Sequence, residues 1–246
     1  MQFGDYTPLL QALEGNSIGH ALLELSAVLL GRADAVVVGT ELLDGFALAV
    51  GESTDEILGA LFGSDGFRGD VVNYHAEENS LLDRVLERRL GMPITLSAVV
   101  IEIGSRIGIP LHMVAMPGHV VVGTQDPDRY IDAFGGVEVD GAGLARRFAA
   151  IFGSDEPFAS QHLTTLDPVG AVNRVCNNLL RTWSADRSGK IDRLLELRTA
   201  IPASDADRKL VVGIAEARGR FDVAAALREV LDPEDPQIPK LWARLN

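Results

Sequence analysis

Residues 91–132 read GMPITLSAVVIEIGSRIGIPLHMVAMPGHVVVGTQDPDRYID, and this stretch decides the fold. Its first part is apolar on nearly every helical face, begins with a proline and stops at Gly108-Ile109-Pro110, which predicts a buried helix over residues 93–107. The pattern then changes to short β-rich segments, which predict strands over residues 111–116, 120–124, 129–133 and 137–139. An antiparallel meander that follows a buried helix indicates an α+β domain.

Helices are predicted on both sides of this stretch. Before it, leucine spacing favours a helix over residues 7–30, and two more follow over residues 41–50 and 54–62, the last capped by Ser53 or Thr54. Residues 67–70 are expected to form an irregular loop, and Asn79-Ser80 to cap a helix that Gly91 ends. After it, the predicted helices cover residues 142–152, 168–184, 190–200, 206–217, 221–231 and 236–244.

Composition restricts the classes of partner and site. The chain has 246 residues and a formal net charge of -13, so binding to nucleic acid or to an anionic membrane through bulk electrostatics is not expected. No apolar run reaches the ~18 residues of a membrane span, and the first residues lack the pattern of a secretory signal. The single cysteine, Cys176, excludes an intrachain disulfide and a cysteine-based zinc site. We therefore expect a cytoplasmic protein without cofactor or metal; its oligomeric state is open.

A helix start, a histidine and an aspartate in this stretch form part of an acyl-transfer site. Such a site needs a nucleophile at a helix N-terminus, a histidine that takes its proton and a carboxylate that orients the imidazole. His119 and Asp132 fit the last two roles if their strands are antiparallel neighbours. The loop between them is centred near Asp126, so we expect the two residues opposite each other on one face, with Asp132 bonded to Nδ1 of His119.

Several short motifs carry a family resemblance. They are Gly91-x-Pro93, Gly108-Ile109-Pro110, Gly118-His119 and Tyr130-Ile131-Asp132, together with Phe67-Arg68-Gly69, Asn73-Tyr74 and Glu78-Asn79-Ser80. The first four resemble the transglutaminase-like (papain-like) core, and the whole set resembles its bacterial SirB-one branch. The resemblance is strongest over residues 67–134, and the tail from residue 167 resembles a tetratricopeptide-like end. It implies a helical N-terminal extension at 1–62, a transglutaminase-like core at 63–160 and a tetratricopeptide-like helical region at 161–246.

The same resemblance assigns roles to individual residues. His119 matches the catalytic histidine of the superfamily, Asp132 its aspartate and Pro93 its cysteine. A proline side chain is not a nucleophile, so the resemblance implies a pseudoenzyme, or at least an enzyme without thiol chemistry at this position. The pair could also be a structural relic, in which Asp132 merely satisfies a core histidine.

Other residues have both a functional and a structural interpretation. Thr95, and after it Ser97, could supply a hydroxyl nucleophile at the helix start, although such residues more often bond their own backbone. Asn79 could donate to an oxyanion or cap a helix. Arg88 and Arg89 could bind an anionic ligand or pair with nearby carboxylates. Cys176 has apolar neighbours, which suggests a buried and inert thiol.

The leading hypothesis is a protein that binds a peptide or an amide-bearing ligand in a cleft at His119 and Asp132, with Asn79, Arg88, Arg89 and Pro93 as candidate ligand contacts. A peptide or protein partner is therefore expected. The second hypothesis is an amide hydrolase or transamidase that uses Thr95 or a water molecule activated by His119. The third is a helical protein-interaction adaptor whose core only supports the binding surface.

Overall fold

The computed structural model describes residues 5–51, 53–153, 157–185 and 189–245. None of the helices in these ranges is both long and apolar enough to cross a membrane. The helices are α1 Thr7–Glu14, α2 Ile18–Leu30, α3 Ala35–Ala47, α4 Thr54–Leu61, α5 Leu82–Arg88, α6 Pro93–Arg106, α7 Gly141–Phe152, α8 Pro168–Thr182, α9 Lys190–Ala200, α10 Asp205–Ala217, α11 Phe221–Leu231 and α12 Ile238–Ala243.

Two sheets accompany these helices. Their strands are β1 Arg68–Gly69, β2 Leu90–Gly91, β3 His112–Met116, β4 His119–Gly123, β5 Tyr130–Asp132, β6 Val137–Val139 and β7 Thr164–Leu166. The larger sheet has the order β6-β5-β4-β3-β7 and is antiparallel throughout, while β1 and β2 form a short parallel pair. The predicted α+β class is confirmed, and so are the four predicted strands, each within one residue of its predicted ends.

Helix α6 is the central element of the core. Every residue from Pro93 to Val100 is buried, and so are Glu102, Ile103 and Gly104. Proline is favourable in the first turn because the N–H that it lacks would have no partner inside the helix. The helix packs against β4 on one side and against α2 and α3 on the other. The predicted burial of this segment is therefore confirmed.

The two faces of the larger sheet pack against different helices. Val120 and Val122 of β4 belong to the main hydrophobic core with α6. Val121 points the other way and packs with Leu144 and Phe148 of α7 in a smaller cluster. Alternation of side chains along a strand accounts for this division, because neighbouring residues point to opposite faces.

The N-terminal helices differ from the prediction. The single helix expected over residues 7–30 is two helices, because Ser17 caps a new start by accepting a hydrogen bond of 2.9 Å from the His20 N–H. Helix α3 begins at Ala35, before the predicted residue 41. Three consecutive valines and Gly39 disguise its first turns, since these residues have low helix propensity. Gly39 is needed there, because a Cβ would lie 2.4 Å from Leu23 Cδ2.

The segment before α6 also differs from the prediction. The expected loop at residues 67–70 contains β1, which pairs with β2. Asn79 lies in a 3₁₀ turn and does not cap α5, whose N-cap is Leu81. Helix α5 ends at Arg88, and Gly91, the predicted stop, lies in β2. The residue after the helix, Arg89, adopts the left-handed conformation with φ 56°. A non-glycine residue pays a steric cost in that conformation, which the contacts of its side chain offset.

The C-terminal helices share the core of the rest of the chain. One hydrophobic cluster extends from Tyr6 in the N-terminal region through α6 to Leu241 in α12. Helix α8 packs directly against α1 and α2, so the three predicted regions are not separated by solvent. The strand β7, which was not predicted, pairs with β3 at the sheet edge and leads straight into α8. The domain boundaries at residues 62 and 160 stay predictions.

A buried carboxylate joins α6 to the N-terminal helices. Glu102 Oε1 accepts hydrogen bonds from Ser17 Oγ at 2.7 Å and from the Gly19 N–H at 2.9 Å, at the start of α2. Its Oε2 forms an ion pair of 2.8 Å with Arg106. A negative charge is favourable at a helix N-terminus, where N–H groups have no partner in the helix.

Glu102→Ala should lower the free energy of unfolding by about 1–3 kcal/mol, because it leaves the buried N–H of Gly19 and the partly buried hydroxyl of Ser17 without an acceptor. Urea unfolding monitored by circular dichroism measures the change. The matched control is Glu41→Ala, at an exposed position on α3, for which a change within about 0.5 kcal/mol is expected. Equal unfolding midpoints for the two variants would contradict the prediction.

Candidate functional site

His119 and Asp132 are hydrogen-bonded in the structure. His119 Nε2 lies 3.0 Å from Asp132 Oδ1, and the two side chains are 11% and 0% exposed. Strands β4 and β5 are antiparallel neighbours, as expected, with Val122 paired to Ile131. Continuing this register places Asp132 across from Val121, one diagonal step from His119. The residues therefore share a face without being directly opposite, and the offset requires the longer reach of Nε2 in place of the expected Nδ1.

The Asp132 carboxylate is held from several directions. Oδ1 also accepts a hydrogen bond of 3.1 Å from the Phe134 N–H, and Oδ2 forms an ion pair with Arg147 of α7. Burial by itself raises the pKa of Asp132. The hydrogen bond and charge of His119, the charge of Arg147 and the Gly135 N–H outweigh burial, so that the pKa lies below its ordinary value. Asp132 is therefore an ionised, fixed partner for the imidazole at neutral pH.

The imidazole of His119 is oriented and still accessible. An ionised Asp132 favours the tautomer with the proton on Nε2, which leaves Nδ1 as a hydrogen-bond acceptor. Nδ1 has no hydrogen-bond partner among the described residues. The ring of Phe134 contacts the imidazole edge to face, with centroids 6.5 Å apart. The side chain lines a cleft and is not sealed behind the N-terminal helices.

The cleft has a volume of about 330 Å³ and lies where three parts of the fold meet. The hairpin between β3 and β4 contributes Pro117, Gly118 and His119, and the start of α6 contributes Pro93 and Ile94. Pro117 and Gly118 form a tight turn in which Gly118 has φ 75°. Left-handed backbone at this turn position favours glycine. The remaining contacts come from Tyr74, His75, Met92, Val120, Arg174, Asn177, Asn178 and Arg181.

Four polar residues of α8 face this cleft, and the sequence analysis missed all of them. Arg174, Asn177, Asn178 and Arg181 recur at three- and four-residue spacing, which places them on one helical face. The other face of α8 is apolar and buried. The polar stripe beside an apolar stripe was the only sequence signal that could have pointed to these four residues. The sequence alone did not show what the stripe faces, because the position of α8 depends on β7, which brings the start of α8 to the edge of the sheet.

Pro93 and Thr95 occupy different positions relative to the cleft. Pro93 lines it. Thr95 is fully buried, and its Oγ1 donates a hydrogen bond of 2.7 Å to the Asn79 carbonyl and accepts one of 3.2 Å from the Met92 N–H. These bonds are those of a residue that caps its own helix. Thr95 is not among the residues that line the cleft.

Asn79 and Arg88 contact each other in a polar cluster below the loop of residues 70–79. The Asn79 amide donates to Asp70 Oδ2 at 3.2 Å and to the Asn73 carbonyl at 2.8 Å, and its Oδ1 accepts from Arg88 at 3.2 Å. Neither residue lines the main cleft. Together they support the loop that carries Tyr74 and His75 into it.

Arg89 is not among the residues that line the cleft. Its guanidinium donates to the Asp65 carbonyl at 2.7 Å and lies 5.4 Å from the ring centroid of Phe46. These two contacts account for an arginine at a left-handed position.

Cys176 is the remaining candidate nucleophile, and a metal site is the remaining kind of site to consider. Cys176 is fully buried on α8, and burial raises the pKa of its thiol to about 11. A neutral thiol without access is a poor nucleophile. Within the described ranges, no group of three or more His, Cys, Asp or Glu side chains is arranged to hold a metal ion.

The residues that line the cleft determine which chemistry it can perform. It offers the oriented imidazole of His119, a second imidazole from His75, the phenol of Tyr74, two guanidinium groups and two side-chain amides. Among its described lining residues there is no serine, threonine, cysteine or lysine. The arrangement can accept and donate hydrogen bonds to a polar ligand and can take up a proton at His119. The described lining therefore lacks the aliphatic hydroxyl, thiol or amine groups that usually carry an acyl intermediate.

Asp132→Asn should lower the free energy of unfolding in a pH-dependent way. The folded-state pKa of Asp132 is lowered, so its ionisation stabilises the fold fully above the unfolded value of about 3.9 and less as the pH falls through the folded value. Urea unfolding at about pH 5, 3.5 and 2.5 should show the difference from wild type shrinking with acidity. Asp128→Asn, in the exposed turn after β4, serves as control and should follow wild type. A difference that stays constant down to the lowest pH would refute the prediction.

Comparison with known proteins identifies the family. The family model described as "Transglutaminase-like superfamily" matches residues 46–177, which include the cleft from Tyr74 to Asn177. The UPF0162 protein of Xylella fastidiosa (strain Temecula1) is 34% identical over 161 residues, which cover 61% of this chain and 57% of the relative. The UPF0162 protein YchA of Escherichia coli (strain K12) is 25% identical over 155 residues, which cover 62% of this chain and 56% of the relative.

A more distant relative is F-box only protein 21 of Mus musculus, which is 31% identical over 91 residues, 33% of this chain and 14% of that protein. The chain thus spans a little over half the length of the bacterial relatives described above. No solved structure matches it. The family match covers more than half of the chain and contains both strands of the His119–Asp132 pair, so this protein belongs to the transglutaminase-like superfamily.

Proposed function

We propose that the protein binds a peptide or another amide-bearing ligand in the cleft beside His119 and Asp132, without thiol catalysis. The observation that carries this proposal is the imidazole that Asp132 orients in a cleft whose described lining holds no serine, threonine, cysteine or lysine. A cleft of about 330 Å³ falls within the range of small-ligand sites. A peptide group presents one donor and one acceptor, and His119 and the α8 amides can pair with both.

The start of α6 supports binding without acyl transfer. By its resemblance to the superfamily core, Pro93 occupies the position of the cysteine nucleophile. Proline provides a rigid apolar wall there and cannot attack a carbonyl. Thr95 could have replaced the cysteine, but its hydroxyl is engaged by Asn79 and Met92. Cys176 is buried. We therefore place the protein among the non-thiol members of the superfamily.

The finer family placement is part of the same proposal. The motifs at residues 67–80 and at Gly91-x-Pro93 support assignment to the SirB-one branch. The successive packing of α10 on α11 and of α11 on α12 supports a tetratricopeptide-like end. A single free and buried cysteine is compatible with a reducing cytoplasm.

Hydrolysis of an amide is the second candidate function. The observation in its favour is that Asp132 orients His119 as a general base would need. Nδ1 of His119 could take a proton from a water molecule while the resulting hydroxide adds to the amide carbon. The C–N bond would then break, and the imidazolium would return the proton to the leaving amine. Both functions require the same histidine, and they differ in whether a product forms.

Removing the imidazole tests the binding proposal. A panel of blocked tripeptides of the form acetyl-Ala-X-Ala-amide, with X as Gln, Asn, Lys or Ala, is ranked by thermal shift and the best one is titrated by calorimetry. His119→Ala should weaken that peptide by about five- to tenfold, since it removes a hydrogen bond in a partly enclosed site. His112→Ala, an exposed histidine on the neighbouring β3, is the matched control and should bind like wild type.

Two outcomes would redirect the proposal. If the panel gives no shift, or if His119→Ala binds the peptide as well as wild type does, the cleft is not the binding site. If wild type releases ammonia or a new amine from the peptide, and His119→Ala does not, the function is hydrolysis. Product analysis by mass spectrometry on the calorimetry samples separates these cases.

A further inference from the structure

Two arginines of α8 face the cleft without a carboxylate beside them. Arg174 Nη2 donates to the carbonyls of Met116 at 2.9 Å and His119 at 3.1 Å, and Arg181 Nε donates weakly to the Asn177 carbonyl at 3.4 Å. Neither arginine forms an ion pair within the described part of the chain. The Nε and Nη1 groups of Arg174 have no hydrogen-bond partner there, so part of its guanidinium is free to bind a ligand.

Two arginines without a carboxylate partner among the described residues are unusual in such an acidic chain. The formal net charge is -13, so carboxylates are in excess. Other partly buried arginines use them: Arg106 pairs with Glu102, Arg220 with Asp222 and Arg228 with Asp235. The described residues that line the cleft include no aspartate or glutamate.

The two guanidinium groups also repel each other. Burial lowers the pKa of Arg174, and the positive charge of Arg181 lowers it further. The phenol of Tyr74 lies close enough that both arginines act on its pKa, which burial nevertheless raises. Two like charges in a partly enclosed space are unfavourable unless a negative group joins them. The N-terminus of the 14-residue α6 adds positive potential from the opposite wall.

We propose that this cleft recognises a carboxylate, and specifically the free C-terminal carboxylate of a peptide, through Arg174 and Arg181. The inference rests on the proposed function and names the ligand class for the same site. Arg174 Nη2 is anchored by two backbone carbonyls, which fixes the guanidinium so that its Nε or Nη1 group can donate a charged hydrogen bond to a carboxylate oxygen. Only Nε of Arg181 has a partner among the described residues, so its Nη1 and Nη2 groups present the planar fork that matches a carboxylate. Because the Arg174 guanidinium contacts the His119 carbonyl, the carboxylate would lie next to the imidazole. The terminal amide of the peptide would then reach His119.

A carboxylate fits this site better than a phosphate. Phosphate sites at helix starts use successive backbone N–H groups that point at the anion. Helix α6 begins with Pro93, which has no N–H, and Thr95 Oγ1 occupies the Met92 N–H. The remaining side-chain donors of the lining are the two arginines, the α8 amides, Tyr74 and the imidazoles of His75 and His119. This set is suited to a planar monoanion.

The test compares one peptide with two end groups. Acetyl-Ala-Gln-Ala is titrated by calorimetry as the free acid and as the C-terminal amide. The acid should bind wild type about tenfold more tightly, and only its affinity should fall as salt rises. Arg181→Gln should remove the preference, so that the acid and the amide bind with equal affinity. Arg181→Lys should keep part of the preference, because it retains the charge and loses the fork.

Controls separate recognition from structural damage. Arg146→Gln, at an exposed position on α7, should behave like wild type with both peptides. Arg174→Gln should also lose the preference, but Arg174 supports the β3–β4 turn, so its circular dichroism and unfolding midpoint are checked first. The decisive quantity is the coupling between the ligand end group and Arg181, which a purely structural role of this exposed side chain would not produce.

The outcomes distinguish this inference from the proposed function. Equal affinity of acid and amide, both weakened by His119→Ala, would overturn the carboxylate inference and leave the peptide-binding proposal standing. Inorganic phosphate that binds more tightly than acetate, with dependence on Arg181, would overturn it in favour of a phosphorylated ligand. Failure of both peptides to bind wild type would overturn both proposals.

Discussion

The burial of α6 is the constraint on which the rest of the structure depends. A helix that is apolar on nearly all sides must be covered by several elements at once. The antiparallel sheet covers one side through Val120 and Val122, and the N-terminal helices cover another. The buried polar group Glu102 is tolerated because it accepts hydrogen bonds from the start of α2 and pairs with Arg106. That pairing ties the orientation of α2 to that of the central helix.

The cleft follows from where this helix begins. Its first turn lines the cleft through Pro93 and Ile94, beside the β3–β4 hairpin, which carries His119 at the first position of β4. Arg147 of α7 and the backbone after β5 fix Asp132 from behind. On the open side, β7 leads the chain into α8 so that its polar stripe forms the remaining wall. One core thus supports the imidazole, its carboxylate and the arginines together.

The charge distribution separates two kinds of arginine. Outside the cleft, partly buried arginines such as Arg106, Arg147 and Arg220 form ion pairs with carboxylates and contribute to the fold. Inside it, Arg174 and Arg181 have no acidic partner among the described residues, in a chain that has many to offer. The arginines that the sequence singled out, Arg88 and Arg89, are therefore not the ones that face the cleft.

The sequence by itself determined the α+β class, the buried helix from Pro93, the four strands of the meander and the proximity of His119 to Asp132. These follow from local periodicity, from turn residues and from a short loop between neighbouring strands, which act over few residues. Most of the C-terminal helices were also predicted from their apolar spacing.

Only the tertiary structure decided which wall closes the cleft and what each polar residue does. The strand β7 is three residues long and is stabilised by β3, about fifty residues earlier in the chain. Without it the position of α8 could not be derived, so Arg174 and Arg181 were missed. Asn79, Arg88 and Thr95 had the right chemistry for a site, but their hydrogen-bond and ion-pair partners lie up to 18 residues away, at Asp70 and elsewhere in the loops. Local spacing specifies an element, whereas long-range packing decides whether a polar group is free to act.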